Sequence, residues 1–291
     1  FMKIAVICPF NNDSSLNFAQ GVINHLFLLD IEVFIDSDLI KYLNKSKLPK
    51  KYQKFEALSA EIDFLFSIGG DGTMLHAITK AKDSNIPVLG INTGRLGFLT
   101  SLQKESMEFG LNQLINSNFS IIKRSLLEVY APQIKQNLFD FNFALNEVCV
   151  SRKNTASLIS ISTHLNDSHL TTYWADGLII ATPTGSTGYS LSSGGPIMTP
   201  ETSGFVLTPI AAHNINIRPL IINESTTIKL QVTGRANEHL ISLDSRILTV
   251  DSRTEIFIKK APFTISTVEL KGNTFIKTLR EKLFWGLDTR N

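Results

Sequence analysis

Residues 62–78 constrain this chain more than any other stretch. Ile62-Asp63-Phe64-Leu65-Phe66-Ser67-Ile68 is an apolar run of strand length that empties into Gly69-Gly70-Asp71-Gly72-Thr73, and helix-forming Met74-Leu75-His76-Ala77-Ile78 follows at once. A buried strand, a glycine turn and a helix in that order form the first half of a βαβ unit, which requires a parallel sheet covered by helices. The glycines remove Cβ atoms where the backbone must turn sharply and can meet a ligand closely. A helix from about Thr73 to Lys82 would leave unpaired N–H groups and the positive end of its dipole at the same spot, which suits a phosphate. The loop has no Walker lysine. Asp71 is the anomaly: a carboxylate beside phosphate is repelled unless it takes a proton from the attacking hydroxyl or holds a bridging metal. A plain helix-capping role would explain the residue type but not the glycines around it.

The surrounding residues extend the alternation. Lys3 to Cys8 and Ile31 to Ile35 read as strands. Between them, Asp13, Ser14 and Ser15 offer caps for a helix with Phe18, Val22 and Leu26 on its apolar face, and another strand runs from Ile86 to Ile91. From about residue 120 the apolar period changes to two, as in Ile228, Leu230 and Val232. Strand-like runs at 121–131, 138–150, 157–165, 177–182, 205–210, 240–250 and 255–259 then follow one another without helices between them. Phe275, Leu279 and Leu283 mark an amphipathic terminal helix that needs an apolar partner. The expected architecture is an α/β domain over residues 1–118, with a parallel Rossmann-like or phosphofructokinase-like sheet, and an all-β, sandwich-like domain over 119–270. A C-terminal helix in 271–291 is expected to return to the first domain.

A second unusual segment begins at Asp176-Gly177. The apolar strand Leu178 to Ala181 ends at Pro183, and Thr184-Gly185-Ser186-Thr187-Gly188-Tyr189-Ser190-Leu191-Ser192 follows, dense in hydroxyls and glycine. Hydroxyls and free backbone N–H groups can hold ribose, phosphate or a purine edge, and Tyr189 offers a stacking face. A flexible linker would not set Pro, Tyr and Leu between two apolar strands.

Taken in order, Gly69 to Thr73, Asn146-Glu147 before the apolar Val148-Cys149-Val150, Asp176-Gly177 and Thr184 to Ser192 resemble the signature of bacterial NAD kinases. The match continues through Leu207-Thr208-Pro209-Ile210-Ala211-Ala212-His213 and Arg218-Pro219, so the resemblance spans residues 62–220. It implies a nucleotide-binding first domain, an NAD-binding second domain, and transfer of the γ-phosphoryl group of ATP to the 2′-hydroxyl of the adenosine ribose of NAD. Asp71 matches the proton acceptor, Gly69, Gly70, Gly72 and Thr73 the phosphate loop, and His76 a dinucleotide contact. Asn146 and Glu147 match ribose ligands and Asp176 an acceptor from an amide or amine of the nucleotide. Thr187, Gly188, Tyr189, Ser190, Leu191 and Ser192, with Ala211, match an adenine pocket. Departures from the pattern are Gly188 where many relatives have alanine, Trp174 where a basic residue is common, and Arg246 where an amide is frequent.

The remaining features exclude other classes. Net charge is +2, and the lysine-rich stretch Lys45, Lys47, Lys50, Lys51 and Lys54 surrounds Pro49 with only Tyr52 as an aromatic, which reads as a solvated loop with no nucleic-acid partner. No apolar run reaches membrane-spanning length and no secretory signal precedes Lys3, so a cytoplasmic protein without a membrane partner is expected, with Met2 as its natural start. Cys8 and Cys149 lie in strand contexts, and no disulfide is expected. No residue pattern suggests a dedicated metal site; a divalent ion, Mg²⁺ or Mn²⁺, is expected to arrive with ATP. A dehydrogenase would need Gly-x-Gly-x-x-Gly, a spacing this loop lacks. A lipid or sugar kinase could share the loop but would leave Asn146-Glu147 and Thr184 to Ser192 unexplained. The family resemblance implies an assembly of two or four copies.

Overall fold

The computed structural model describes residues 2–9, 12–49, 51–94, 97–134, 138–153 and 157–285; Phe1, Lys50 and the tail beyond 285 lie outside the described residues. The chain divides into two units, Phe1–Lys123 with Ile265–Asn291, and Arg124–Thr264.

The first unit is built on parallel strands in the spatial order Gln53–Phe55, Glu32–Asp36, Lys3–Ile7, Phe64–Gly69 and Val88–Asn92. Register pairs such as Ile4 with Phe64 and Leu65 with Val88 place the apolar runs side by side. The central strands are buried along nearly their whole length, which is why they read as continuous apolar runs with no alternation. Helix Asp13–Leu28 sets Val22, Ile23 and Leu26 against Ile4, Val6, Phe66 and Ile68 in one core. Each such side chain contributes roughly 1.5–3 kcal/mol by leaving water. The helix is capped by Asn12, whose side chain accepts the Ser15 N–H at 2.8 Å, one residue ahead of the expected caps. The strand order reverses between Lys3–Ile7 and Phe64–Gly69, and the crevice outside the carboxyl ends of such strands is where open α/β sheets bind ligands. The glycine turn leaves from that end.

The terminal segment completes this unit. Val268 and Leu270 are buried in the same core, and Thr267 pairs with Val88 in parallel register. Asn273 Nδ2 donates to the Ser101 carbonyl at 2.6 Å, and helix Phe275–Leu283 follows with Leu279 buried.

The second unit has two antiparallel layers. One runs in the order Leu220–Asn223, Gly204–Ile210, Gly177–Ala181, Glu147–Arg152, Glu238–Leu243 and Arg246–Asp251. The other contains Ser168–Ala175, Ile159–Leu165, Ile228–Gly234 and the first part of Glu255–Leu270. Val148, Val150, Leu178 and Ile180 from the first share a core with Ile159, Ile161, Leu230 and Ile256 from the second, so this unit is a sandwich. The opposite face of the first layer is also covered: Cys149, Ile179, Ala181 and Val206 pack around Met198. Burial on both faces explains why Leu178 to Ala181 shows no polar alternation.

Four segments differ from the strand runs expected from sequence. The stretch 240–250 is a hairpin, because Asp244 adopts a left-handed conformation (φ +52°) that turns the chain between the paired Leu243 and Arg246. The run at 255–259 continues to Leu270, and two strands are additional: Ser168–Ala175, whose exposed and half-buried residues are mostly polar, and Leu220–Asn223, an apolar run of only four residues. Both cysteines are buried and outside any disulfide, and burial pushes the thiols of Cys8 and Cys149 up to about 11 and about 12. No helix among the described residues is long and apolar enough to cross a membrane.

Candidate functional site

The first cluster of candidate side chains lies in the first unit. Gly69 has φ +149°, and a Cβ there would stand 2.1 Å from Thr73 Oγ1, so only glycine lets the strand fold onto the helix. The helix spans Asp71–Ala81, beginning two residues before the expected Thr73, with Gly70 as N-cap and no side-chain cap bond. Asp71 is therefore the first helical residue and does not cap. Its carboxylate accepts the Phe98 N–H on Oδ2 at 2.8 Å and the Leu99 N–H on Oδ1 at 3.1 Å. A Cβ at Gly97 would fall 1.8 Å from Oδ1, so the loop after Val88–Asn92 fits around the carboxylate only as glycine. Two amide bonds do not exhaust the acceptor capacity of a carboxylate, and Asp71 retains lone pairs for a further donor. The outer side of Gly70 is open, and the N–H groups of the first helical turn have no intrahelical partners.

Sequence reasoning did not find the loop 97–100. Its signal was the pair Gly94 and Gly97 just beyond a buried strand, held in place by Asn92 Oδ1, which accepts the Gly94 N–H at 2.7 Å, and by Thr100 Oγ1, which accepts the Gly97 N–H at 3.3 Å. His76, one turn into the helix, lines a cavity of about 240 Å³ with Cys8, Asp36, Asp38, Leu39 and Tyr42. Burial, with Lys80 second, lowers the proton affinity of its imidazole.

The second cluster lies in the second unit. Asn146 and Glu147 stand at the start of the strand Glu147–Arg152, and Asn146 Oδ1 and Glu147 Oε2 are buried without a hydrogen-bond partner among the described residues. Buried acceptors are almost always satisfied, so these two on adjacent residues are open to incoming donors. The Glu147 carboxyl group receives the Tyr189 backbone N–H. Burial, then the negative charge of Asp244, pushes its pKa up to about 7.

The hydroxyl-rich segment is ordered as a single 3₁₀ turn, Gly185–Thr187, and a short helix, Tyr189–Ser192. Several of its hydroxyls serve the protein itself. Ser190 is fully buried with Oγ 2.8 Å from Thr208 Oγ1, Ser186 Oγ donates to the Pro183 carbonyl at 2.7 Å, and Thr187 Oγ1 donates to the Thr184 carbonyl at 3.1 Å. Tyr189 is 47% exposed and presents its ring outward, with Ser192 also exposed and Leu191 partly so. At Gly188 a Cβ would come within 3.2 Å of Glu147 Oε2, so the glycine leaves more room beside that orphan oxygen than an alanine would.

Asp176 is ion-paired: Arg152 Nη2 lies 2.9 Å from its Oδ2. Arg152 was not anticipated, because only the pairing of Glu147–Arg152 with Gly177–Ala181 brings it alongside. Ala211 follows Ile210, whose carbonyl accepts the Asp176 N–H at 3.0 Å, and it has φ +45°, an uncommon conformation for alanine that tends to occur at functional loops. The second unit thus gathers Asn146, Glu147 and the segment 187–192, with Asp176 and Ala211 adjacent to each other. Among the described residues no group of three or more His, Cys, Asp or Glu is placed to hold a metal ion.

Comparison with known proteins covers both halves of the chain. Residues 4–119 match the ATP-NAD kinase N-terminal domain and residues 145–270 the ATP-NAD kinase C-terminal domain. The sequence is 50% identical over 295 residues to an NAD kinase of Christiangramia forsetii and 48% identical over 294 residues to one of Flavobacterium psychrophilum, with all of each chain covered. Among solved structures, yeast NADH kinase complexed with NADH superposes with a TM-score of 0.86 at 25% identity, over 99% of this chain and 89% of that one. An NAD kinase from Archaeoglobus fulgidus in complex with ATP gives 0.74 at 26% identity, over 97% of this chain and 99% of that one.

Proposed function

Because the chain belongs to the NAD kinase family, we propose that it transfers the γ-phosphoryl group of ATP to the 2′-hydroxyl of the adenosine ribose of NAD, releasing NADP and ADP. The observation that carries the mechanism is the Asp71 carboxylate, held by two backbone amides at the start of a helix that follows a glycine turn. In this reading Asp71 takes the proton from the 2′-hydroxyl as its oxygen attacks the γ-phosphorus; the new O–P bond forms while the bond to the β-phosphate oxygen breaks. Gly69, Gly70, Gly72 and Thr73 let the backbone and the helix N-terminus approach the phosphates, where N–H groups offset negative charge. His76 contacts the dinucleotide. Asn146 Oδ1 and Glu147 Oε2 accept from ribose hydroxyls, which satisfies both buried acceptors. Asp176 accepts from an amide or amine of the nucleotide. The adenine lies against Tyr189, with Thr187, Gly188, Ser190, Leu191, Ser192 and Ala211 around it, Ser190 acting through the shape of the short helix because its hydroxyl is engaged by Thr208.

Phosphoryl transfer asks the protein for alignment and charge stabilisation, and a divalent ion, Mg²⁺ or Mn²⁺, enters as the complex with ATP. Two buried cysteines without a disulfide suit a reducing compartment, and the proposal places the enzyme in the cytoplasm as a dimer or tetramer. The test is incubation with NAD, ATP and Mg²⁺, with NADP read by an NADP-specific dehydrogenase and NADH run in parallel as acceptor. Asp71→Asn is expected to lower turnover by about 10²–10⁴-fold, the range for a general base, while NAD affinity stays within a few-fold. Near-normal turnover in that variant removes Asp71 from the mechanism.

A further inference from the structure

The hairpin turn between Glu238–Leu243 and Arg246–Asp251 has a polar construction that neither phosphate chemistry nor sheet pairing requires. Asp244 sits at the turn with φ +52° and only 5% of its side chain exposed. Its carboxylate accepts three consecutive backbone amides: Leu145 N–H on Oδ2 at 3.1 Å, and Asn146 and Glu147 N–H on Oδ1 at 2.8 and 3.3 Å. Its own N–H returns to the Glu147 carbonyl at 3.0 Å. Arg246 closes the arrangement from the other side. It donates through Nη1 to the Phe141 carbonyl and through Nη2 to the Phe143 carbonyl, the latter at 2.5 Å; Nη2 lies 3.5 Å from Asp244 Oδ2, and the guanidinium stands over the Phe141 ring at 5.2 Å.

A buried carboxylate costs several kcal/mol to desolvate, and well-packed apolar residues usually stabilise a fold as well or better. What this one does that an apolar residue could not is fix three successive peptide planes. Those planes carry Asn146 and Glu147, the two residues whose side-chain oxygens are left buried and without partners. We infer that Asp244 and Arg246 are positioning residues for dinucleotide binding: Asp244 holds the backbone of residues 145–147 so that Asn146 and Glu147 meet donor hydroxyls, and Arg246 braces Asp244 and the carbonyls of Phe141 and Phe143 that precede them. This rests on the reading of Asn146 and Glu147 as ribose ligands given above. Burial, and after it the negative charge of Asp244, disfavours the ionised form of Glu147, and hydroxyl donors from a bound ribose would offset that effect. Arg246 spans two carbonyls with the forked geometry of a guanidinium.

The test is a mutant cycle read by steady-state kinetics. Arg246→Leu is expected to raise KM for NAD about tenfold, with KM for ATP within about twofold and the main effect on KM and not on kcat; Arg246→Lys recovers part of the loss. In an Asn146→Ala, Glu147→Ala background the same Arg246→Leu change is expected to alter kcat/KM for NAD by less than about twofold, because the groups it aims are gone. Effects that multiply in the two backgrounds, or an unchanged KM for NAD in Arg246→Leu, overturn the inference. If Arg246→Leu does not accumulate as folded protein, Asp244→Asn and Arg246→Lys are carried through the same cycle under the same criterion. An unchanged KM for NAD in the Asn146→Ala, Glu147→Ala protein itself would instead sink the assignment of the ribose ligands, a result distinguishable from failure of the positioning role.

Discussion

Two carboxylates show how environment divides labour between residues of the same chemistry. Asp71 is tied to the amides of Phe98 and Leu99 at a helix start, whereas Glu147 is buried with one oxygen unpartnered and its pKa pushed up to about 7. On the proposed role of Glu147 as a ribose ligand, hydroxyl donors favour its ionised form, so that below about pH 7 the free protein would release a proton on binding NAD. KM for NAD is therefore expected to fall about tenfold per pH unit as pH rises toward about 7 and to level off above it. Glu147→Gln should flatten that limb of the KM profile measured at saturating ATP; an unaltered profile would mean that another group titrates. The acid of the phosphate loop was legible as a residue, because Asp71 is out of place among glycines. The amides that hold it were not, since Phe98 and Leu99 contribute backbone atoms and no side-chain chemistry that a sequence could display.

At the scale of single elements, burial on both faces made the central strands easy to find and their ends hard to place. The strand Glu238–Leu243 carries a consequence for stability: His239 lies on its inward face, fully buried, with neither ring nitrogen hydrogen-bonded among the described residues. Burial lowers its pKa from 6.5 to about 4, with the charge of Asp251 opposing the shift. In the unfolded chain the imidazole takes a proton near pH 6.5, while in the folded protein it stays neutral until about 4. Its contribution is thus intact above pH 6.5 and is lost progressively as pH falls to about 4, by roughly 3 kcal/mol in total. Urea unfolding at pH 7 and pH 4.5 should show a smaller difference for His239→Leu than for the natural sequence, and equal differences would count against this account. The hairpin at Asp244 escaped the apolar pattern because period two continues across a two-residue turn, and only the left-handed backbone at Asp244 separates the strands.

At the scale of the whole molecule, the chain enters the sandwich at Arg124, leaves it at Thr264, and finishes the first unit with residues distant in sequence. Val268 and Leu270 belong to the core of the α/β unit, and Lys282 stands 5.9 Å over the Phe98 ring, on the loop that holds Asp71. A chain ending at Thr264 is expected to lose the kinase activity and the cooperative unfolding of the α/β unit, because cavities left by large core side chains cost about 2–5 kcal/mol each. Calorimetry and limited proteolysis would check this; a truncated protein with a native-like transition for that unit would refute it.

The sequence by itself determined the layer types and the chemistry on offer. Local period separates α/β from β, and a glycine turn between strand and helix offers backbone N–H groups that a phosphate could approach. Only the tertiary structure decided which groups are free to act. Hydroxyls that looked equivalent in Thr184 to Ser192 separate into those engaged by Thr208, Pro183 and Thr184 and those left exposed. Asp176 acquires Arg152, and a remote turn at Asp244 fixes the peptide planes of Asn146 and Glu147. The physical reason is that hydrogen-bond satisfaction in a buried site depends on partners brought in by strand pairing, and pairing across tens of residues leaves no local trace in the order of the amino acids.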